Sequence, residues 1–479
     1  MIRKLIDRIM NRKTPRAAVR DRPKSYPGSA HGVRIEDVSD AAMRTCRTLQ
    51  QAGFKAYVVG GGVRDLMLGL KPKDFDVATD ATPEQVRGLF RRSRIIGRRF
   101  QIVHVMFGRE TIEVSTFRAI QDEAETDEHG RVLRDNVWGT QAEDAARRDF
   151  TINALYYDPV ADTILDYHDG VRDLERKTLR MIGDPAARFR EDPVRMLRVA
   201  RFTGKLGFTI EPKTRKPIRE LASLVHNVPA ARLFDEMLKL LLSGHAMACL
   251  QELRREGLHH GLLPMLDLIL GQPDDERFVT AALGATDARV RAGKTTSPGF
   301  LFAALLWQQV RVRWQAGVAR GEHSIPALGA AIDSVLDEQA ERIAIQRRFI
   351  ADMREIWMTQ ARFERRIGRS PHTLVAHPRF RAAWDFLQLR CQSGEAPAEL
   401  ADWWRAFAEA DAGEREAMQA RLPKPAGGPA KKRRRRSSSR RDAARESAAD
   451  AGSAEAAPAD ATDRGATAAP PPSGPKAAA

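Results

Sequence analysis

The pattern of apolar and polar positions changes character along the chain. Up to about Asp166, short apolar runs typical of strands alternate with segments of helical periodicity. The run Ala56–Val59, for example, follows a helix-like segment over Val38–Ala52 and leads directly into three glycines. This alternation predicts a mixed α/β region.

Two further runs in this region alternate in the manner of half-buried strands. Ile102–Phe107 and Thr111–Ser115 are separated by Gly108, which predicts a β-hairpin. After about Thr178 the strand signals fade, and helical patterns continue to about Ala420. Clear amphipathic helices are predicted over Pro193–Phe202, Ala230–Leu242 and Ala246–Arg255.

Shifts in composition divide the chain further. Beyond Leu422 there is no Leu, Ile, Val, Met, Phe, Tyr or Trp, so this segment cannot bury enough apolar surface to offset its ordering entropy. Residues 1–30 are basic and lack periodicity. The predicted segments are a flexible basic leader (1–34), a mixed head (35–177), a helical neck (178–270), a helical body (271–422) and a disordered Arg-rich tail (423–479).

The net charge of the chain indicates which class of partner it binds. The net charge is +16, and the segment after Leu422 carries 12 Lys/Arg against 6 Asp/Glu, so +10 remains on the other segments. A polyanionic partner is therefore expected independently of the tail. Three widely spaced cysteines support neither a disulfide framework nor a zinc site, which favours a reducing cytoplasm. No apolar run approaches the roughly 20 residues of a membrane span, although the basic N-terminus could contact anionic lipid.

The first candidate for chemistry is the glycine turn after the strand Ala56–Val59. A strand that ends in Gly60, Gly61 and Gly62, followed by a helix from about Val63, directs free backbone N–H groups towards the turn. This geometry suits an anion, although a tight turn alone explains the glycines equally well.

Three carboxylates form the second candidate. On a strand, Asp74 and Asp76 project from one face while Phe75 turns to the core, and Glu113 lies on the polar face of a second strand. If the two strands are neighbours, the carboxylates converge on a magnesium site that suits two-metal chemistry. A solvated strand edge is the alternative for the two aspartates alone.

Five segments in order resemble the class II nucleotidyltransferases, the family that unites tRNA CCA-adding enzymes with bacterial poly(A) polymerases. The segments are Gly60–Asp76, Arg147–Ala154, Asp166–Leu174, Glu191–Arg198 and Arg232–Glu236. The resemblance spans roughly residues 57–242 and implies an α+β fold. We expect a polymerase-β-like head with a mixed sheet, followed by an all-α neck and body that bind RNA.

The resemblance also implies residue roles. Asp74 and Asp76 would hold Mg²⁺, with Glu113 completing the catalytic site. The nucleotide-binding residues would be Gly60, Gly61, Arg64, Arg147, Arg148, Asp149, Asn153, Asp192, Arg195 and Arg198. On a helix Asp149 and Asn153 would share a face and hold the ribose. Asp192, Arg195 and Arg198 would line one side of a helix and read the base, although a surface salt-bridge ladder has the same spacing. Arg147 and Arg148 suit a triphosphate, but would equally suit a solvated basic pair.

Within the family, three features favour the poly(A) polymerase branch. The segment Ile95–Val105 and the residues around Trp138 and Arg232–Glu236 are similar to that branch. A disordered arginine-rich tail is also typical of it. Arg98, Arg99, Lys431 and Arg433 are further candidates for RNA contact.

The expected activity is template-independent transfer of AMP from ATP to RNA 3′ ends, which would promote RNA processing and decay. Such a role implies a cytoplasmic location and contact with RNA-decay proteins, whereas the oligomeric state is left undetermined. Two alternatives remain: a CCA-adding tRNA nucleotidyltransferase, and a non-catalytic RNA-binding protein on a degenerate polymerase fold.

Overall fold

The fold is described from a computed structural model, which covers residues 22–97, 101–120, 137–259, 273–340 and 345–423. An eight-stranded mixed sheet forms the head, and helices follow it. The prediction of an α+β head with an all-α neck and body is therefore confirmed. Among the described residues, no helix is both long and apolar enough to cross a bilayer.

The head sheet has the order β1-β8-β7-β2-β3-β6-β5-β4. Its strands are β1 Lys24–Pro27, β2 Ala56–Val59, β3 Asp76–Thr79, β4 Ser93–Ile96, β5 Ile102–Phe107, β6 Glu110–Thr116, β7 Leu155–Asp158 and β8 Thr163–Asp166. All neighbours are antiparallel except β3 and β6, which run parallel. The hairpin of β5 and β6 is the one that the sequence predicts, and β2 has the predicted bounds.

Short helices accompany the sheet. They are α1 Gly28–His31, α2 Asp40–Gln51, α3 Gly61–Met67, α4 Pro83–Leu89, α5 Gln141–Arg147 and α6 Gly170–Glu175, with 3₁₀ turns at Ile35–Asp37 and Thr151–Asn153. Helix α2 begins where the Ser39 hydroxyl accepts a hydrogen bond from the Ala42 N–H, and its apolar side packs on the sheet through Cys46 and Leu49.

Part of the segment predicted as a flexible leader is ordered. Residues 24–27 form β1, which pairs with β8 at the edge of the sheet, and α1 follows directly. Tyr26 packs against the core, and the Lys24 ammonium lies 2.5 Å from the Asp169 carboxylate. A four-residue strand that pairs with a partner over 130 residues away gives too short a local pattern to be recognised.

The neck and body are helical. Their helices are α7 Pro185–Glu191, α8 Val194–Leu206, α9 Pro212–Arg215, α10 Ile218–Leu221, α11 Ala230–Leu241, α12 Ala246–Arg255, α13 Pro273–Arg291, α14 Pro298–Ala319, α15 Ser324–Ala340, α16 Arg347–Gln360, α17 Ser370–Val375, α18 Phe380–Gln392, α19 Ala398–Glu409 and α20 Ala412–Ala420. A 3₁₀ turn covers Ala222–Asn227, and two short strands, β9 Thr178–Leu179 and β10 Thr209–Ile210, pair in parallel.

One apolar core continues from the head into the neck and body. It includes Val77 under the sheet, Phe202 of α8 and Trp357 of α16. A separate aromatic cluster, centred on Trp404, packs α18 against α19. Because the head and neck share a core, side chains from both can be held at fixed separations around a common site.

Candidate active site

The glycine turn brings the backbone close to a guanidinium group. Gly60 has φ +72° and ψ −131°, a conformation that side-chain-bearing residues rarely adopt. A Cβ at this position would lie 3.4 Å from the Arg148 Nη1 atom. Helix α3 begins at Gly61, two residues earlier than the sequence predicts. The turn therefore leaves room for the guanidinium group beside the backbone.

Asp76 and Glu113 are direct neighbours on the parallel strands β3 and β6. Their strand neighbours Val77 and Val114 face the core beneath α2, so the two carboxylates belong to the opposite face of the sheet. The strand β3 begins at Asp76, so the prediction that Asp74 lies on this strand is wrong. Buried Phe75 turns inward between the two aspartates, as expected.

The three carboxylates interact electrostatically, although they do not form a preformed metal-binding site. Burial first, and then the charges of Glu113 and Asp74, raise the pKa of Asp76 to about 6 against the opposing charge of Arg148. Within the described ranges, no three His, Cys, Asp or Glu side chains stand together as a metal-binding group. Exposed Glu113 instead lies with its Oε1 3.5 Å from His104 Nε2. The site therefore concentrates negative charge that a cation would relieve.

Arg148 is held in place by a buried tyrosine and aspartate. Its Nε donates to the Tyr156 hydroxyl at 3.1 Å, and its Nη2 donates to the Asp144 carboxylate at 3.1 Å. The Tyr156 hydroxyl in turn donates to the same carboxylate at 2.6 Å. Burial lowers the pKa of Arg148, but Tyr156 and Asp144 outweigh it and raise the pKa overall. The guanidinium group is therefore a fixed positive charge beside Gly60.

A second arginine is tied to the neck through a relay of side chains. The Nη1 of buried Arg64 donates to Asn153 Oδ1 at 2.7 Å, and Asn153 Nδ2 donates to Asp149 Oδ1 at 3.2 Å. The other oxygen of Asp149 lies 2.8 Å from Arg198 Nη2 on α8. This Arg64–Asn153–Asp149–Arg198 relay joins the glycine turn of the head to the neck.

Electrostatics favour the charged form of Asp149 within the relay. Burial raises its pKa, but Arg198 and hydrogen bonds from Asn153 and the Phe150 N–H lower it below its ordinary value. Asp149 and Asn153 do contact each other, but not across one turn of an α-helix as predicted. Helix α5 ends at Arg147, and Asn153 lies in a 3₁₀ turn.

The predicted base-reading residues do not share one side of a helix. Asp192 lies between α7 and α8 with φ −146°, where the following Pro193 disfavours a helical backbone. Its carboxylate accepts a hydrogen bond from Arg232 at 2.9 Å. Arg195 Nη1 donates to the Glu191 carboxylate at 2.8 Å, so Asp192 and Arg195 have separate partners. The prediction that all three line one side of a helix is thus wrong, because Asp192 precedes α8, whereas Arg195 and Arg198 both belong to it.

Three contributors were missed by sequence reasoning. Arg188 Nη2 donates to the carbonyl oxygens of both Arg147 and Arg148, which secures the C-terminal end of α5 from the neck. Tyr156 orients Arg148. Buried Phe202 forms a platform for guanidinium groups, with Arg64, Arg198 and Arg201 at 5.0, 5.9 and 4.4 Å from its ring centroid. Only Phe202 had a local signal, because it lies one helical turn after Arg198.

The remaining predicted residues divide by location. Arg147 is in the last turn of α5, and Gly61 begins α3. Arg98, Arg99, Lys431 and Arg433 lie outside the described residues.

Acidic positions on two adjacent parallel strands, a glycine turn and fixed arginines together define a nucleotidyltransferase. Residues 56–180 match the poly A polymerase head domain, residues 207–270 match the probable RNA and SrmB-binding site of polymerase A, and residues 320–441 match the polymerase A arginine-rich C-terminus. The poly(A) polymerase I of Salmonella typhi is 42% identical over 447 residues, which cover 89% of this chain and 94% of that protein. The chain belongs to the bacterial poly(A) polymerase family.

The CCA-adding branch is similar over a smaller part. The CCA-adding enzyme of Lactobacillus helveticus is 40% identical over 218 residues, 46% of this chain and 54% of that enzyme. The structure of the Bacillus stearothermophilus CCA-adding enzyme in complex with CTP superposes with a TM-score of 0.53 and 27% identity, covering 81% of this chain and 88% of that one. The predicted resemblance, including its preference for the poly(A) branch, is confirmed.

Proposed function

We propose that the protein is a template-independent poly(A) polymerase, which transfers AMP from ATP to the 3′-hydroxyl of RNA and releases pyrophosphate. One observation carries this proposal at the site. Asp76 and Glu113 are neighbours on the parallel strands β3 and β6. In the same sheet, strand β2 ends at the Gly60 turn, and the Arg148 guanidinium lies close to Gly60 in space. Similarity to poly(A) polymerase I along 89% of the chain favours AMP as the transferred group.

The donor set fits magnesium. Asp74, Asp76 and Glu113 offer only carboxylate oxygens, which Mg²⁺ prefers, and burial together with the two neighbouring carboxylates already disfavours Asp76 as a free anion. We assign Asp74 and Asp76 as the metal ligands, with Glu113 completing the acidic site. Bound Mg²⁺ would lower the pKa of the RNA 3′-hydroxyl and neutralise charge on the leaving pyrophosphate, so the chain itself needs no general base.

Fixed positive charges would position the triphosphate. Arg148 cannot turn away without losing its hydrogen bonds to Tyr156 and Asp144, so its location beside Gly60 is set before ATP arrives. We assign the triphosphate to Gly60, Gly61, Arg64, Arg147 and Arg148. Asp149 and Asn153 would then lie beside the ribose.

Selection of the base is assigned to the neck. Asp192, Arg195 and Arg198 offer a carboxylate and two guanidinium groups, which suit hydrogen bonding to a nucleobase. Arg198 is already oriented by Asp149, which limits the positions its donors can take. A protein edge that selects the base makes a nucleic-acid template unnecessary.

The setting of the activity follows from its substrate. We infer a cytoplasmic enzyme that acts in RNA decay and contacts other RNA-decay proteins. The three cysteines, all with free thiols, are consistent with a reducing compartment.

Primer extension with the full chain and Mg²⁺ tests the proposal. The substrates are an unstructured RNA that ends in A and a tRNA without its CCA end, each supplied with ATP or CTP separately. A long ATP ladder on the first RNA with little use of CTP is expected. Addition of two C and one A to the tRNA would instead establish a CCA-adding enzyme. Binding of RNA without any extension would establish a non-catalytic protein.

A further inference from the structure

A groove lies at the end of β5, away from the residues assigned above. It encloses about 610 Å³ and is lined by Arg44 and Thr48 of α2, by residues 89–92 at and just after the end of α4, and by residues 105–108 at the end of β5. Phe107 is three residues beyond His104, the strand neighbour of Glu113, which corresponds to about 10 Å along the strand. Since α2 packs on the face opposite the carboxylates, the groove opens on the other side of the sheet.

Positive charge dominates the groove. Arg44, Arg91 and Arg92 line it, and all three are exposed. In the part of the chain that the structure describes, none of the three guanidinium groups forms an ion pair with a carboxylate. Most other arginines near the active site are paired, as in Arg198 with Asp149 at 2.8 Å. Three uncompensated cations in one groove create a local field that attracts a polyanion.

Flat and apolar surfaces complement these charges. The Arg44 guanidinium lies over the Phe107 ring at 5.2 Å from its centroid. Leu89 is 37% exposed, so a large apolar side chain of the groove remains in contact with water. Cationic groups beside an aromatic ring and apolar walls are the combination that binds single-stranded nucleic acid, through phosphate contacts and base stacking.

We propose that this groove is a second binding site for the RNA substrate, where it holds single-stranded RNA upstream of the 3′ end. The choice of RNA as the occupant rests on the proposed function, because that function supplies a single-stranded polyanion to the same domain. An acidic peptide would satisfy the arginines but would leave the Phe107 and Leu89 surfaces without a matching partner. The groove should therefore contribute affinity for long primers and leave the chemical step unaffected.

The experiment compares two triple variants of the full chain with equal loss of charge. The test variant is R44Q/R91Q/R92Q. The matched control is R47Q/R87Q/R94Q, whose arginines are also exposed and occupy α2, α4 and β4 but do not line the groove. Thermal midpoints close to that of the wild type establish that both variants fold.

Fluorescence anisotropy then measures affinity for a long RNA, of about 20 nucleotides, and a short one of about 5, which spans a single site. For the long RNA, the test variant should bind about tenfold more weakly, and the slope of log K against log salt should fall by about 2, or about 0.7 per lost phosphate contact. The control should change both quantities much less. The short RNA should bind all three proteins alike and be extended at the same maximal rate.

A direct contact is tested with the same long RNA carrying 4-thiouridine at internal positions. Crosslinks to residues 89–92 or 105–108 are expected in the wild type and should be lost in the test variant. Equal affinities of the test and control variants for long RNA would overturn the proposal. It would also be overturned if the test variant bound poly-glutamate more weakly than the wild type but bound long RNA equally well, because the groove would then be a site for an acidic protein. Failure of the wild type to extend RNA at all would refute the proposed function instead.

Discussion

Replacing Asp76 by asparagine should make the metal-free protein more stable while abolishing activity. The pKa of this carboxyl is raised from 3.8 to about 6, by burial first and then by Glu113 and Asp74. At about 1.36 kcal/mol per tenfold change in proton affinity, ionising Asp76 in the folded protein costs at most about 3 kcal/mol more than in the unfolded chain. Asparagine has nearly the same shape and carries no charge.

The pH dependence follows from the direction of the shift. The folded state binds the Asp76 proton more tightly than the unfolded state, so the stabilising effect of protonation is complete below about pH 4. It is lost as the pH rises to about 6. The wild type should therefore lose stability relative to D76N between these pH values. Above about pH 7 the difference should be constant.

Thermal unfolding of both proteins in EDTA, at pH 4, 5, 6 and 7.5, measures this difference. D76N should have the higher midpoint at pH 7.5 by several degrees, and saturating Mg²⁺ should raise the midpoint of the wild type but not that of D76N. Incorporation of AMP should fall below detection while RNA binding is retained. D74N is the matched control: Asp74 is exposed, so its removal should stabilise the protein much less. A D76N protein no more stable than wild type in EDTA at pH 7.5 would refute the reasoning.

The remaining predictions concern the residues that we assign to the triphosphate and to the base, and the side chain that orients Arg148. Gly60→Ala should destabilise the protein by about 1–3 kcal/mol, because a φ of +72° is strained for alanine. It should also raise KM for ATP, because the new Cβ would lie 3.4 Å from the Arg148 guanidinium. Wild-type values in both urea unfolding and steady-state kinetics would contradict this prediction. Tyr156→Phe removes the hydroxyl that holds Arg148, so kcat/KM for ATP should fall by about tenfold while the affinity for RNA stays constant. Arg64→Lys and Arg198→Lys should each weaken discrimination of ATP from CTP. A double-mutant cycle in kcat/KM should give a coupling energy of about 0.5–3 kcal/mol between the two arginines. Additive effects would show that the relay does not couple them.

The local sequence pattern was sufficient to predict those helices and strands whose signal lies in a few neighbouring residues. The β5–β6 hairpin is marked by alternation around Gly108, and helix α12 has the predicted bounds Ala246–Arg255. Strand β1 was missed because its stability depends on pairing with β8, a distant part of the chain. Backbone breaks were also underestimated, since Asp192 was placed on a helix that begins only at Val194.

The residues of the candidate site also divide into those that the sequence predicts and those that it does not. Asp76 and Glu113 could be identified because each acidic side chain lies between apolar neighbours in an alternating pattern, and their proximity needed only that the strands be neighbours. The roles of Tyr156 and Arg188 could not be predicted, because each acts on side chains or carbonyl groups brought close only by folding. The position of Phe202 one turn after Arg198 was a local signal, but its contact with Arg64 depends on folding in the same way. A tyrosine or phenylalanine in a core pattern gives no sign that it will orient an arginine.

If Arg198 reads the base, as we propose, the relay from Arg64 to Arg198 gives a physical account of selection without a template. A base-reading guanidinium on a separate, loosely attached domain would sample many orientations and would accept several bases. Here Arg198 is tied to Asp149, and Asp149 through Asn153 to Arg64 beside the glycine turn. Phe202 supports both arginines from one ring. Under the roles proposed above, a nucleotide whose triphosphate engages Arg64 would present its base to donors already fixed relative to that triphosphate. A base of the wrong hydrogen-bonding pattern would then either break the pair of Arg198 with Asp149 or leave the other Arg198 donors without a partner.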